Sequence, residues 1–304
     1  MHYGQACFEG LKAFHCKDGK VRLFRPEQNA RRMEKSAKRI CMPYLPEERF
    51  VEACKAVVRA NIEFVPPYGS GGALYLRPLL IGTGPRIGLQ PADEYKFLIL
   101  AIPAGDYYKG GIKAVNAVVV EDFDRAAPRG VGHVKVAGNY AADIYPNTLA
   151  KKDGFPIALY LGEGARKLYI MYCFHDRRYY FTWSIYSIID AKSNTFVEEF
   201  STSNFLAIDR SGAYVTPKSG AVLESITNKS LKELAASLGL DVQERQIPID
   251  EVGSFTEVAA CGTAVVLTPV KSLYYKQQVR YIFLVFITPF AVSFLSDSCY
   301  YRKK

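Results

Sequence analysis

The stretch LKAFHC-KDGK-VRLF, residues 11–24, does most to narrow what this chain can become. Its two arms flank an Asp-Gly pair, which supplies the positive φ that tight hairpin turns require. The arms are therefore expected as antiparallel strands. Pro26 then opens a helix through RPEQNARRMEKSAKRI, and PEERFVEACKAVVRANIEFV predicts a second. ALYLRPLLIGT (73–83) and YKFLILAIPA (95–104) are apolar runs of strand length joined by a Gly/Pro-rich connection, and IKAVNAVVV adds another strand. Helices between a hairpin and further strands make this half α+β.

The second half continues in the same style. NYAADIYPNTLAKKDG, from Asn139, reads as partly helical, disrupted by Pro146 and ended by Gly154. FPIALYL, TFVEEF, NFLAI and AYVTP are short strands. ITNKSLKELAASLGL is an amphipathic helix closed by Gly239, and EVAACGTAVVLTPV is a strand-turn-strand. At 304 residues the chain has room for two compact domains. Their boundary is placed in the glycine-rich loop near 105–130, giving a small α+β domain over 1–110 and a large β-rich domain over 111–304.

Composition bounds the function classes. The chain is 49% hydrophobic and 23% charged, as folded globular proteins are. Seven cysteines include no CxxC pair, which favours reduced thiols inside a cell. Four histidines and the acidic residues show no metal-ligand spacing, so no metal site is expected. The opening MHYGQACFEGLKAF shows no targeting signal, and the compartment stays open between cytoplasm, mitochondrion and plastid. A net charge of +9 would invite nucleic acid, but residues 162–189 and 271–304 together carry +7 of it. The same two segments hold 17 of the 40 aromatic residues. Nucleic-acid binding is therefore not expected. YIFLVFITPFAVSFL (281–295) is apolar but shorter than the roughly 20 residues a spanning helix needs, so membrane insertion is not expected either.

Within GVGHVKVAGNY (130–140), Lys135 stands among small and apolar residues, which suits either a strand end whose lysine snorkels outward or a buried site that drives an ammonium toward the neutral amine. Tyr140 follows five residues on, after Ala137 and Gly138, so a turn can fold its phenol back beside the amine. A lysine and phenol so placed suit a pyridoxal phosphate site, with the lysine holding the aldehyde and the phenol bonding the ring oxygen.

These residues carry a family resemblance. HYGQACFEGLKAF (2–14), RLFRPEQNARRMEKSAKR (22–39), LYLRPLLIGTG (74–84), GHVKVAGNYAAD (132–143), EEFSTSNFLAI (198–208), VLESITNKSL (222–231) and ACGTAVVLTPV (260–270) come in the order seen in branched-chain-amino-acid aminotransferases. The chain resembles that family, within the class IV aminotransferases. The resemblance implies a two-domain α+β fold type IV aminotransferase, similar to D-amino-acid aminotransferase, with pyridoxal 5′-phosphate at the domain interface. It implies Lys135 as the Schiff-base residue and proton carrier, with Tyr140 beside it. Glu199 would hold the ring nitrogen protonated, so that the ring accepts electrons as the Cα–H bond breaks.

For the phosphate, the resemblance implies Arg32, the amides of Ile226 and Thr227, and Thr263; amides at a helix start are a ready anion site. Out of context, Glu199 would pass for an exposed strand residue beside Glu198, and Arg32 for one of several basic groups on a solvated helix face. The motif register selects them. Tyr3, Phe8, Tyr75 and Arg77 are implied as substrate-binding, with the Thr263 and Ala264 amides near the substrate carboxylate. The implied reaction moves the amino group of leucine, isoleucine or valine to 2-oxoglutarate, giving glutamate. The implied assembly is a homodimer in which GTGPRIGLQP (82–91) covers the partner's site.

The chain departs from the family at three places. It begins at the active-site tyrosine stretch, so the family's preceding segment is expected to be missing. Residues 162–189 interrupt a strand connection, and from about 274 an apolar tail stands where the family's last strands and helix are expected. We read both segments as translated non-coding sequence. Asn228 and Leu206 also differ from the residues usual at their positions. Two alternatives follow. One is another fold type IV enzyme, a D-amino-acid aminotransferase or aminodeoxychorismate lyase, separated by turnover of leucine against D-alanine. The other is a catalytically incompetent chain, against which a yellow, dimeric protein would count.

Overall fold

A computed structural model describes residues 3–105, 113–124, 126–127, 130–162, 195–264 and 266–283. The expected hairpin is present as β2 (Leu11–His15) and β3 (Val21–Leu23), paired antiparallel, with Gly19 at a φ of 75° in the turn. Together with β1 (Ala6–Phe8), β4 (Ala73–Thr83) and β5 (Glu94–Ala104) it builds a five-stranded antiparallel sheet. Helices α1 (Pro26–Arg39) and α2 (Glu47–Ala60) cover one face of this sheet. Alternation along β4 sends Leu74, Leu76 and Leu80 into a core with Phe50, Val51 and Cys54. Tyr75 and Arg77 occupy the alternate positions on the opposite face.

The second sheet holds β6 (Val115–Val120), β7 (Ile157–Gly162), β8 (Phe196–Phe200), β9 (Ser203–Ile208), β10 (Tyr214–Pro217), β11 (Val242–Arg245), β12 (Glu257–Gly262), β13 (Val266–Tyr275) and β14 (Gln278–Ile282). Pairing runs β9-β12-β13-β6-β7-β8 and returns from β8 to β9, so six strands close on themselves. Closure removes free edges, and the interior is filled by Ala117, Leu159, Phe205, Ala260, Val270 and neighbouring apolar groups. Helix α3 (Ala137–Lys152) connects the parallel pair β6 and β7, and α4 (Ile226–Ser237) connects the parallel pair β10 and β11.

One expectation is corrected. Pro146 does not disrupt α3, which runs through it to Lys152 and ends before Gly154. The proline removes a single amide donor, while Ala150 packs with Ala158 and Tyr160, and the Tyr160 hydroxyl donates to Asp143 at 2.5 Å. The helix is thus held on both sides of the proline. The segment from 274 begins by extending the sheet. Lys276 and Gln277 both take positive φ, the backbone of a two-residue turn whose twist matches a hairpin, and β14 pairs back onto β13. Phe283 is buried in the barrel core.

The segment 162–189 lies outside the described residues except for Gly162, as do 284–304 of the tail. The strands flanking the insertion pair directly, Leu159 with Phe200, Leu161 with Val197 and Gly162 with Phe196. Among the described residues no helix is long and apolar enough to cross a membrane, no cluster could hold a metal, and five cysteines are free thiols.

Candidate active site

Lys135 sits immediately before α3, its backbone fixed from two directions. Its amide donates to the Ser36 hydroxyl at 2.9 Å, and its carbonyl accepts from the Phe8 amide at 3.2 Å. The preceding loop is pinned by Asn139, whose side-chain amide donates to the carbonyls of Val131 (2.7 Å) and Val134 (3.0 Å). Lys135 Nζ donates to the Tyr140 hydroxyl at 2.7 Å, so the first turn of α3 brings lysine and phenol together as the spacing suggested. Nζ lies 4.8 Å from the Phe8 ring centre, and the Phe8 and Tyr140 rings meet edge-on at 4.7 Å.

Burial pushes the Lys135 ammonium down to about 7, and the charges of Arg32 and Arg77 push the same way, against the opposing carboxylates of Glu9 and Glu199. The amine is therefore substantially neutral near pH 7 and able to act as a nucleophile or base.

Glu199 is buried on β8 and accepts from the Leu223 amide at 3.1 Å. Asn204, directly opposite it on β9, donates to the Leu223 carbonyl at 2.8 Å, so both polar groups of one loop residue are held. Burial and the Glu199 carboxylate together push the Cys261 thiol up on β12, the neighbouring strand.

Arg32 reaches from α1 to the start of α4, donating to the Glu224 carbonyl at 3.0 Å. The next residue, Ser225, caps α4 by accepting the Asn228 amide at 3.1 Å. Ile226 and Thr227 supply the first amides of that helix, which have no intrahelical acceptor. Thr263 and Ala264 form the turn between β12 and β13, and Lys12 Nζ donates to the Ala264 carbonyl at 2.8 Å.

On the sheet face above, Arg77 donates to the Tyr75 hydroxyl at 2.8 Å and lies 4.8 Å from the Phe8 ring centre. The Tyr75 hydroxyl passes so close to Gly10 that a Cβ there would meet it at 2.2 Å. Arg77 Nε is buried and has no hydrogen-bond partner. Tyr3 is placed elsewhere: it is 56% exposed and donates to the Ile87 carbonyl at 2.6 Å, tying it to loop 82–91 of its own chain.

Sequence reasoning missed Glu9, which is fully buried and grips Arg32 through both carboxylate oxygens. Its signal was an acidic residue inside the otherwise apolar ACFEGL. The assembled groups are a depressed lysine amine with a phenol, a buried carboxylate, and cationic and amide donors, as group transfer at a carbon-nitrogen bond requires.

That chemistry agrees with the family. The family model described as Amino-transferase class IV matches residues 6–166 and 186–273, leaving out 167–185 and everything from 274. The chain belongs to the class IV aminotransferases. It is 46% identical over 271 residues to the branched-chain-amino-acid aminotransferase of Haemophilus influenzae, an alignment covering 89% of this chain and 72% of that one. Its fold matches the Escherichia coli branched-chain amino acid aminotransferase at a TM-score of 0.75 and 23% identity, covering 97% and 86% of the two chains. It also matches the fold of the branched-chain amino acid aminotransferase from Thermobaculum terrenum in its PLP-bound holo form, at a TM-score of 0.68 and 23% identity, covering 89% and 77%.

Proposed function

We propose that this chain is a pyridoxal-phosphate-dependent branched-chain-amino-acid aminotransferase, moving the amino group of L-leucine, L-isoleucine or L-valine to 2-oxoglutarate. One observation carries the reading: a buried lysine amine lowered to about 7 and bonded to a phenol, in a chain 46% identical to an aminotransferase of that name. The residues present fit pyridoxal phosphate, since a cationic and amide end lies at Arg32 and α4 and a buried carboxylate at Glu199. When bound, the cofactor supplies an aldehyde for the amino group and a protonated ring that accepts electrons.

The chain's own residues then divide the work. Lys135 would take the proton from substrate Cα and deliver it across the shared nitrogen to the cofactor's aldehyde carbon, its lowered proton affinity suiting both directions near neutral pH. Tyr140 keeps the amine aimed through their mutual hydrogen bond. Glu199 holds a proton on the ring nitrogen, while Arg32, Ile226, Thr227 and Thr263 bind the phosphate. The unpaired Arg77 Nε suits a substrate carboxylate, and we assign the Thr263 and Ala264 amides to the same group. Phe8 and Tyr75 wall the side-chain pocket.

We assign the two sheets to domains over 1–110 and 111–304, with the site between them, and place the enzyme inside a cell. We also assign a homodimer. β5 is an edge strand of the small sheet, and its outer row exposes Leu98, Leu100 (59%) and Ile102 (61%). Such a row on a long edge strand needs a cover. Ile87 and Leu89 of loop 82–91 are also exposed, and the loop carries Tyr3 with it toward the partner's site.

The test is turnover of purified protein with pyridoxal phosphate and 2-oxoglutarate. Leucine is expected to be converted and D-alanine to remain unreacted; preference for D-alanine would overturn the assignment. For the dimer, Leu100→Asp is expected to weaken self-association about 30-fold or more, since central interface side chains carry that much. Sedimentation showing an unchanged dimer would place the interface elsewhere.

A further inference from the structure

We propose that Glu9 is a positioning residue for cofactor phosphate, holding the Arg32 guanidinium in the one orientation that leaves two N–H groups for the anion; this rests on the pyridoxal phosphate reading above. A guanidinium has five N–H donors. Arg32 spends Nε–H on Glu9 Oε1 and one Nη2–H on Glu9 Oε2, both at 2.7 Å, and one Nη1–H on the Glu224 carbonyl at 3.0 Å. One hydrogen remains on each Nη. The side-on grip fixes the plane of the fork, and the bond to the residue before Ser225 sets it beside the first amides of α4.

The grip cannot relax easily. Glu9 Oε2 also accepts from the Asn29 side chain at 2.7 Å and the Gly10 amide at 3.2 Å, so that oxygen takes three donors. Asn29, Arg32 and Ser36 lie at positions i, i+3 and i+7 of α1 and are turned inward together, so one helix face holds Glu9, the Arg32 fork and the Lys135 amide. A fully buried charge at the end of β1, with four donors on it, is costly to keep unless its orientation matters. Its charge also neutralises Arg32, so the fork binds by direction as much as by net charge.

The test compares the full chain's affinity for pyridoxal 5′-phosphate with that for pyridoxal, which lacks the phosphate. Glu9→Gln is expected to lower the preference for pyridoxal phosphate over pyridoxal about tenfold or more, the size of a lost charge-assisted hydrogen bond. In an Arg32→Gln background the same substitution is expected to have no further effect on the preference for the phosphorylated ligand, because Glu9 reaches the phosphate only through that guanidinium. Equal weakening toward both ligands, or the same loss with Arg32 absent, would make Glu9 a merely structural residue and overturn the proposal.

Should Glu9→Gln fail to fold, Asn29→Ala decides, since it removes one donor to Glu9 and keeps both charges. It is expected to lower the preference for the phosphorylated ligand about threefold, and an unchanged preference overturns the proposal. If the parent chain binds no pyridoxal phosphate, the cofactor reading itself is overturned and the proposal falls with it. A normal parent with a normal Glu9→Gln removes the proposal alone.

Discussion

Lys135→Ala is expected to lose the visible absorption that pyridoxal phosphate gives in the parent protein and to cut leucine turnover at least about 1,000-fold, within the range for removing a nucleophile that is also the general base. The chain offers no second amine of the same kind among the described residues. Lys12 lies at the Ala264 carbonyl rather than against Tyr140. The parent should also show a pH dependence with a definite sign. The ammonium is unreactive and its value in the free site is about 7. Capture of the aldehyde should therefore accelerate as pH rises through that value and level off above it, where an ordinary lysine near 10.5 would still be climbing. A rate climbing steadily toward pH 10 would show that the amine is solvated and the site not formed. Retention of the band in Lys135→Ala would move the chemistry to another residue.

The second large effect is expected at Glu199. Glu199→Gln keeps shape and the bond from the Leu223 amide, but it removes the charge that a protonated ring nitrogen needs. Turnover should fall about 100-fold to 1,000-fold, in the range found for removing one charge-stabilising group. The visible band should persist, because Lys135 is untouched. This combination separates Glu199 from Lys135, since one variant loses the chemistry and the other loses the attachment as well. Loss of the band in Glu199→Gln would mean that the carboxylate holds up the barrel wall between β8 and β9 rather than serving the ring. Nearly unchanged turnover would mean that it does not face the ring at all.

Much of this architecture was legible in the sequence because it is local. Asp18-Gly19 marked its hairpin, Pro26 opened α1, and apolar runs of strand length marked β4 and β5. The lysine and phenol could be paired because five residues and one helical turn separate them. What stayed hidden is non-local. Return of β8 to β9, which closes the barrel, depends on pairings among distant strands that no local pattern encodes. Pro146 was misread because its cost is local while its compensation comes from Tyr160, on another element. Glu9 was missed for the same reason: twenty-odd residues separate it from its partners Asn29 and Arg32, and only α1 folding onto β1 turns a lone acid into a clamp. The pairing of Tyr3 with Ile87 likewise joins residues 84 apart.

The direct pairing of β7 with β8 has a consequence for how this protein tolerates added sequence. Leu159, Leu161 and Gly162 find their partners on β8 although 33 residues lie between Gly162 and Phe196. The entropic cost of closing a flexible connection grows only logarithmically, about 0.6 kcal/mol for each doubling, so lengthening a short turn to some thirty residues would cost about 2 kcal/mol on that scale. A closed barrel can bear that without changing its topology. The junction between β7 and β8 is thus a permissive port, a place where sequence can enter or leave a gene while the register of Glu199 against Asn204 is kept.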